Sequence, residues 1–161
     1  MKSEATTTKE PISFYEAERG KPLPDLYHAV APSNLIGVLG GYRQQYSILS
    51  ELSLVLNGRP FCPDLCIYPK RTHDWQRDVE YLTEAPLTAI EILSPSQGFE
   101  VYESRFAAYF AAGVKSCWFV QPFLKTIFVL SSEGQTTVFH EEALKDPVTG
   151  ITFDVREIFT E

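Results

Sequence analysis

Two short apolar runs in this chain each carry a single carboxylate, and few folds have room for both. The first is Phe61-Cys62-Pro63-Asp64-Leu65-Cys66-Ile67-Tyr68, and the second is Leu87-Thr88-Ala89-Ile90-Glu91-Ile92-Leu93, closed by Ser94-Pro95-Ser96. Their length, their β-forming residues and the flanking Pro and polar residues predict strands. Alternation along a strand puts Leu65 and Ile67 on one face and Asp64, Cys66 and Tyr68 on the other. By the same rule Ala89, Glu91 and Leu93 lie opposite Ile90 and Ile92. If the strands pair in register, Asp64 and Glu91 converge. Buried carboxylates are costly unless paired, hydrogen-bonded or bound to a metal, and two side by side repel. Two carboxylates with carbonyls and water suit a hard divalent ion such as Mg²⁺ or Mn²⁺. Taken singly, each acid is more simply read as an edge-strand charge, a strand-end residue or the partner of a buried Arg. Taken together, they form a more specific pattern.

The rest of the chain surrounds these runs. Residues 1–25 read as a polar tail and an irregular arm broken by Gly20, Pro22 and Pro24, and 26–161 as a single domain. Pro32-Ser33 can open a helix running to about Gln45, with Leu35, Leu39 and Tyr42 on one stripe. Ile48–Leu56 reads as a strand, and Asn57-Gly58 as a hairpin turn that makes it an antiparallel neighbour of Phe61–Tyr68. Lys70 to Ala85 is a long charged connection, read as a solvated loop with Trp75 as its anchor; the alternative is a nucleic-acid contact through Trp75 and the basic residues around it. A helix is expected over Glu100–Ala112, stopped by Gly113, with Tyr102, Phe106, Tyr109 and Phe110 as its buried stripe and Arg105 beside it. Ser116–Gln121 reads as a strand. A hairpin of Thr126–Leu130 and Thr136–His140 follows, then a turn at Val148-Thr149-Gly150 and a last amphipathic piece. That order gives an α/β or α+β fold.

Composition narrows the function classes. A net charge of −7 opposes nonspecific attachment to DNA, although clustering matters more than the sum. No run is long enough to span a membrane, and no charged-apolar leader opens the chain, so a cytoplasmic location is expected. Cys62, Cys66 and Cys117 contain no CxxC pair and read as free thiols in a reducing compartment.

Four blocks occur in a telling order: Pro63-Asp64; Ile90-Glu91-Ile92-Leu93-Ser94-Pro95-Ser96; Tyr109-Phe110-Ala111-Ala112-Gly113-Val114; and Cys117-Trp118-Phe119-Val120-Gln121-Pro122. Over about Leu26 to Phe159 the chain resembles the bacterial Uma-type family of candidate restriction endonucleases, within the PD-(D/E)XK nuclease superfamily. The resemblance implies a restriction-endonuclease-like core, helix–three strands–helix–strand, here with an added C-terminal hairpin. It implies a metal-dependent DNA endonuclease in which Asp64 and Glu91 hold Mg²⁺ or Mn²⁺. Glu51, in the strand before Asn57-Gly58, reads equally as a further acid for the ion or as a solvent-facing strand residue. The superfamily's Lys usually stands two residues after the Glu, where this chain has Leu93. In the Uma-type family it stands on the following helix, four residues before the Tyr, where this chain has Arg105. An Arg can stabilise a phosphate but cannot take a proton from water. The site residues implied are therefore Asp64, Glu91 and Arg105, with DNA as substrate and a homodimer as the assembly that could cut both strands. A binder without catalysis and an unrelated α+β domain with structural carboxylates remain the competing readings.

Overall fold

A computed structural model describes residues 24–160; the expected tail and arm lie outside the described residues, apart from Pro24 and Asp25. The first element is helix α1 (Leu26–Leu39), continued by a 3-10 turn at Gly40–Tyr42. It begins earlier than the sequence predicts. Asp25 is its N-cap and accepts from the His28 N–H at 3.0 Å, while Pro32 lies inside it. Pro32 removes the bond to the His28 carbonyl, a defect that typically costs about 3 kcal/mol. Ala31, Leu35 and Leu39, buried at four-residue spacing, offset that cost.

The expected strand over Ile48–Leu56 is two strands. Strand β1 (Tyr46–Ser50) ends where Glu51 turns to φ 49°, donating its N–H to the Asp64 carbonyl at 3.1 Å. The chain then leaves the sheet as a separate hairpin of β2 (Leu54–Leu56) and β3 (Arg59–Phe61). Asn57 and Gly58, both at positive φ, make the turn, as their sequence predicts. The apolar alternation through Leu52, Leu54 and Leu56 runs across the break, so sequence alone joins the pieces.

Strands β4 (Leu65–Pro69) and β5 (Thr88–Ile92) return to the main sheet, helix α2 (Phe99–Ala111) follows, and β6 (Ser116–Gln121) lies parallel to β5. Strands β7 (Thr126–Ser131) and β8 (Thr136–Phe139) add the expected hairpin, giving the order β1-β4-β5-β6-β7-β8. Every other pairing in that sheet is antiparallel. A further hairpin, β9 (Ala143–Lys145) with β10 (Thr152–Asp154), and a 3-10 segment, Val155–Phe159, end the described chain.

The sheet separates two cores. Leu65, Ile67, Ile90, Ile92, Trp118 and Val120 face α1 and the C-terminal segment. Cys66, Ala89, Cys117 and Phe119 face α2 and the β2–β3 hairpin, against Tyr102, Phe106 and Tyr109. The alternation read from the two acidic runs is therefore the alternation of the fold. Gly113, at φ 103°, ends α2 as predicted. The connection from Lys70 to Ala85 differs from expectation in one respect: Trp75 is 95% exposed and anchors nothing among the described residues. Backbone bonds of Leu82 with Ser53 and Val55, and a bond from Tyr68 Oη to the Glu84 carbonyl at 2.7 Å, hold it instead.

Candidate active site

Strands β4 and β5 are antiparallel with Leu65 opposite Ile90. One further step along that register sets Asp64 opposite Glu91, at the end of the sheet where β4 begins and β5 ends. Neither acid is on the surface: Asp64 is 7% exposed and Glu91 1%. Asp64 Oδ2 accepts the Ile92 backbone N–H at 2.7 Å, which ties the first acid to the strand carrying the second.

Helix α2 supplies the groups around Glu91. Arg105 and Tyr109 are four residues apart, so both side chains lie on one helix face. Arg105 Nη1 donates to Glu91 Oε2 at 2.8 Å, and Tyr109 Oη donates to Glu91 Oε1 at 2.6 Å. The Arg105 guanidinium also lies over the Tyr102 ring, 5.4 Å from its centroid. Burial works against the charge on Arg105, but the Glu91 carboxylate outweighs it, and the guanidinium holds its proton more tightly than usual. Burial, then the Glu91 charge and the bond to it, push the Tyr109 phenol far above its ordinary range, so Tyr109 is a permanent donor.

A cavity of about 320 Å³ opens over this end of the sheet, between α1 and α2. Asp64, Glu91, Arg105 and Glu51 all line it, so one cleft gathers the four residues the sequence singled out. Glu51 contributes from the exposed turn after β1, not from within a strand. Among the described residues no three His, Cys, Asp or Glu side chains cluster tightly enough to form a three-ligand metal site. The buried donor set is thus two carboxylates, an oxygen pair of the kind that Mg²⁺ accepts while keeping most of its water.

Sequence reasoning missed three contributors. The helical stripe places Tyr109 only in the core, although its spacing from Arg105 points to a shared partner. Tyr102 Oη accepts the Ser94 N–H at 2.8 Å and donates to the Ile92 carbonyl at 3.3 Å, fixing the segment after β5. His28, on the cleft wall, donates from Nε2 to the same carbonyl at 2.9 Å, while its Nδ1 lies 3.0 Å from Asp25 Oδ1. No local pattern signals that His28, since its partner is 64 residues away.

Residues 16–156 match the model of the Uma2 family, described as "Putative restriction endonuclease". No curated protein matches the chain. Among solved structures, the chain is similar to "a putative nuclease belonging to DUF820" from Anabaena variabilis ATCC 29413. The TM-score is 0.71 at 20% identity, covering 86% of this chain and 83% of that one. That likeness shows the nuclease-like α+β fold, and the family match spans most of the sequence. The chain belongs to the Uma2 family.

Proposed function

We propose that this protein is a metal-dependent endonuclease that hydrolyses phosphodiester bonds in DNA. The observation that carries the reading is the gathering of Asp64, Glu91 and Arg105 around one cleft. Asp64 and Glu91 would hold Mg²⁺ or Mn²⁺, with Glu51 at the rim. Bound there, the ion would polarise the scissile phosphate and make the attacking water more acidic. Tyr109 fixes one oxygen of Glu91, and the Ile92 N–H fixes one of Asp64, so the pair is oriented before any ligand arrives. Arg105 offers planar donors for a phosphate, which a guanidinium can grip bidentately. It stays protonated, so it takes no proton from water. Duplex cleavage by this site would use a two-fold dimer, one cleft for each strand.

A second reading has its own support. Arg105 and Tyr109 engage both oxygens of Glu91 at 2.8 and 2.6 Å. A carboxylate neutralised in this way also suits a relative that binds nucleic acid or protein without cutting. Incubation with supercoiled plasmid and with single-stranded DNA, in Mn²⁺ and in EDTA, separates the two. The nuclease reading expects nicking in Mn²⁺ that is lost in EDTA and in Asp64→Ala. DNA binding without any cleavage in either condition would favour the binder.

A further inference from the structure

A second depression, of about 500 Å³, adjoins the cleft and is lined by Arg59, Pro60, Phe61, Glu100, Val101, Ser104 and Arg105. Arg105 lines both cavities. The β2–β3 hairpin forms one wall and the first turns of α2 form the other. The Arg59 guanidinium stands over the Phe61 ring, 5.3 Å from its centroid. Phe61 packs on Tyr109 with centroids 5.1 Å apart, and Tyr109 donates to Glu91. A continuous series of contacts therefore runs from an exposed cation on the hairpin to the buried carboxylate. The chain has 14 Lys and Arg against 21 Asp and Glu, whereas two arginines and one acid, Glu100, line this groove; Arg105 is already paired with Glu91, which leaves Arg59 as the groove's other cation. Field depends on local clustering more than on net charge.

We infer that this groove is a subsite for the polynucleotide segment flanking the bond at the cleft, with Arg59 contacting a backbone phosphate beyond the one held by Arg105. The inference rests on the nuclease reading and adds the route by which the strand leaves the cleft. A phosphate contact from an exposed cation positions the strand without reading sequence, and its loss weakens binding uniformly and flattens the salt dependence. Glu100, on the opposite wall, opposes the strand and limits affinity.

The test is fluorescence anisotropy of a labelled DNA duplex and of its single strand, in EDTA so that no cutting occurs, across a salt series. Arg59→Ala is compared with Arg156→Ala, which removes the same charge from an exposed Arg paired with Asp154 at 2.6 Å, outside the groove. Arg59→Ala should weaken binding about tenfold and lower the salt slope by about one. Arg156→Ala should change affinity less than about twofold. Arg59→Lys should keep most of the affinity, and Glu100→Gln should raise it. Equal effects of Arg59→Ala and Arg156→Ala, or no effect of Glu100→Gln, would overturn the subsite while leaving the nuclease reading intact. Failure of the wild-type protein to bind either DNA at low salt would remove both.

Discussion

At Glu91 two donors from one helix meet a carboxylate that is 1% exposed. Each donor has a distinct task, and substitution separates them. Arg105→Ala takes a cation from a buried acid, and breaking such a pair typically costs about 3 kcal/mol. Without metal the variant should melt lower, and added Mn²⁺ should recover much of the loss, because the ion replaces the missing charge. Its Mn²⁺ affinity should equal or exceed that of the wild type, while single-turnover cleavage should fall about a hundredfold. Arg105→Lys should keep or raise the rate, since Lys is the residue the family usually has there. An Arg105→Ala variant that cuts as fast as the wild type would make Arg105 structural. Tyr109→Phe keeps the ring against Phe61 and removes only the donor to Glu91. It should weaken Mn²⁺ binding about tenfold or more, as lost orienting bonds commonly do, whereas a purely structural Tyr109 would leave metal affinity unmoved.

At the scale of elements, α1 shows where reading by local signals stops short. Pro32-Ser33 is a plausible helix start, but Asp25 caps the helix seven residues earlier, and burial of Ala31, Leu35 and Leu39 carries it through the proline. That outcome depends on the sheet beneath, which no window of sequence contains. Burial alone would raise the Asp25 carboxyl, but its bonds to the His28 side chain and N–H outweigh that and hold it below its ordinary value. A lowered carboxyl stabilises the fold in full above its unfolded pKa, and the contribution fades as pH falls below it. Asp25→Ala should therefore cost about 1 kcal/mol at neutral pH, and the gap from wild type should close as pH drops below about 4; urea titrations at both pH values check this. Strands β5 and β6 and helix α2 were legible because their patterns are long or sharply bounded, whereas the run Phe61–Tyr68, which reads as one strand, divides between β3, ending at Phe61, and β4, beginning at Leu65. The cysteines follow from the same strands: Cys66 and Cys117 are buried, and burial raises both thiols, Cys66 to about 12. Under native conditions a thiol reagent should modify Cys62 alone at an appreciable rate, with all three cysteines reacting in denaturant.

Across the whole molecule, the sheet brings together acids 27 positions apart, and the two helices close the space above them. The alternation of Leu65, Ile67, Ile90 and Ile92 against Asp64 and Glu91 made the acidic pair legible. Hydrogen bonds such as that from His28 to the Ile92 carbonyl leave no trace in sequence, because they depend on how α1 lies across the sheet. Among the described residues no helix is long and apolar enough to cross a membrane. The turn between β6 and β7, with Phe123 83% and Leu124 53% exposed, offers apolar surface for a second copy. Light scattering at tens of micromolar should therefore report a dimer, and a monomer with and without DNA would contradict that part of the account. Everything proposed about cleavage depends on the two acids forming one cation site. Isothermal titration of the wild-type protein, Asp64→Ala and Glu91→Ala with Mn²⁺ measures that property directly. The account predicts saturable binding by the wild type and a drop of at least about tenfold in either variant, with the fold intact by circular dichroism. Unchanged Mn²⁺ affinity in both variants would contradict it.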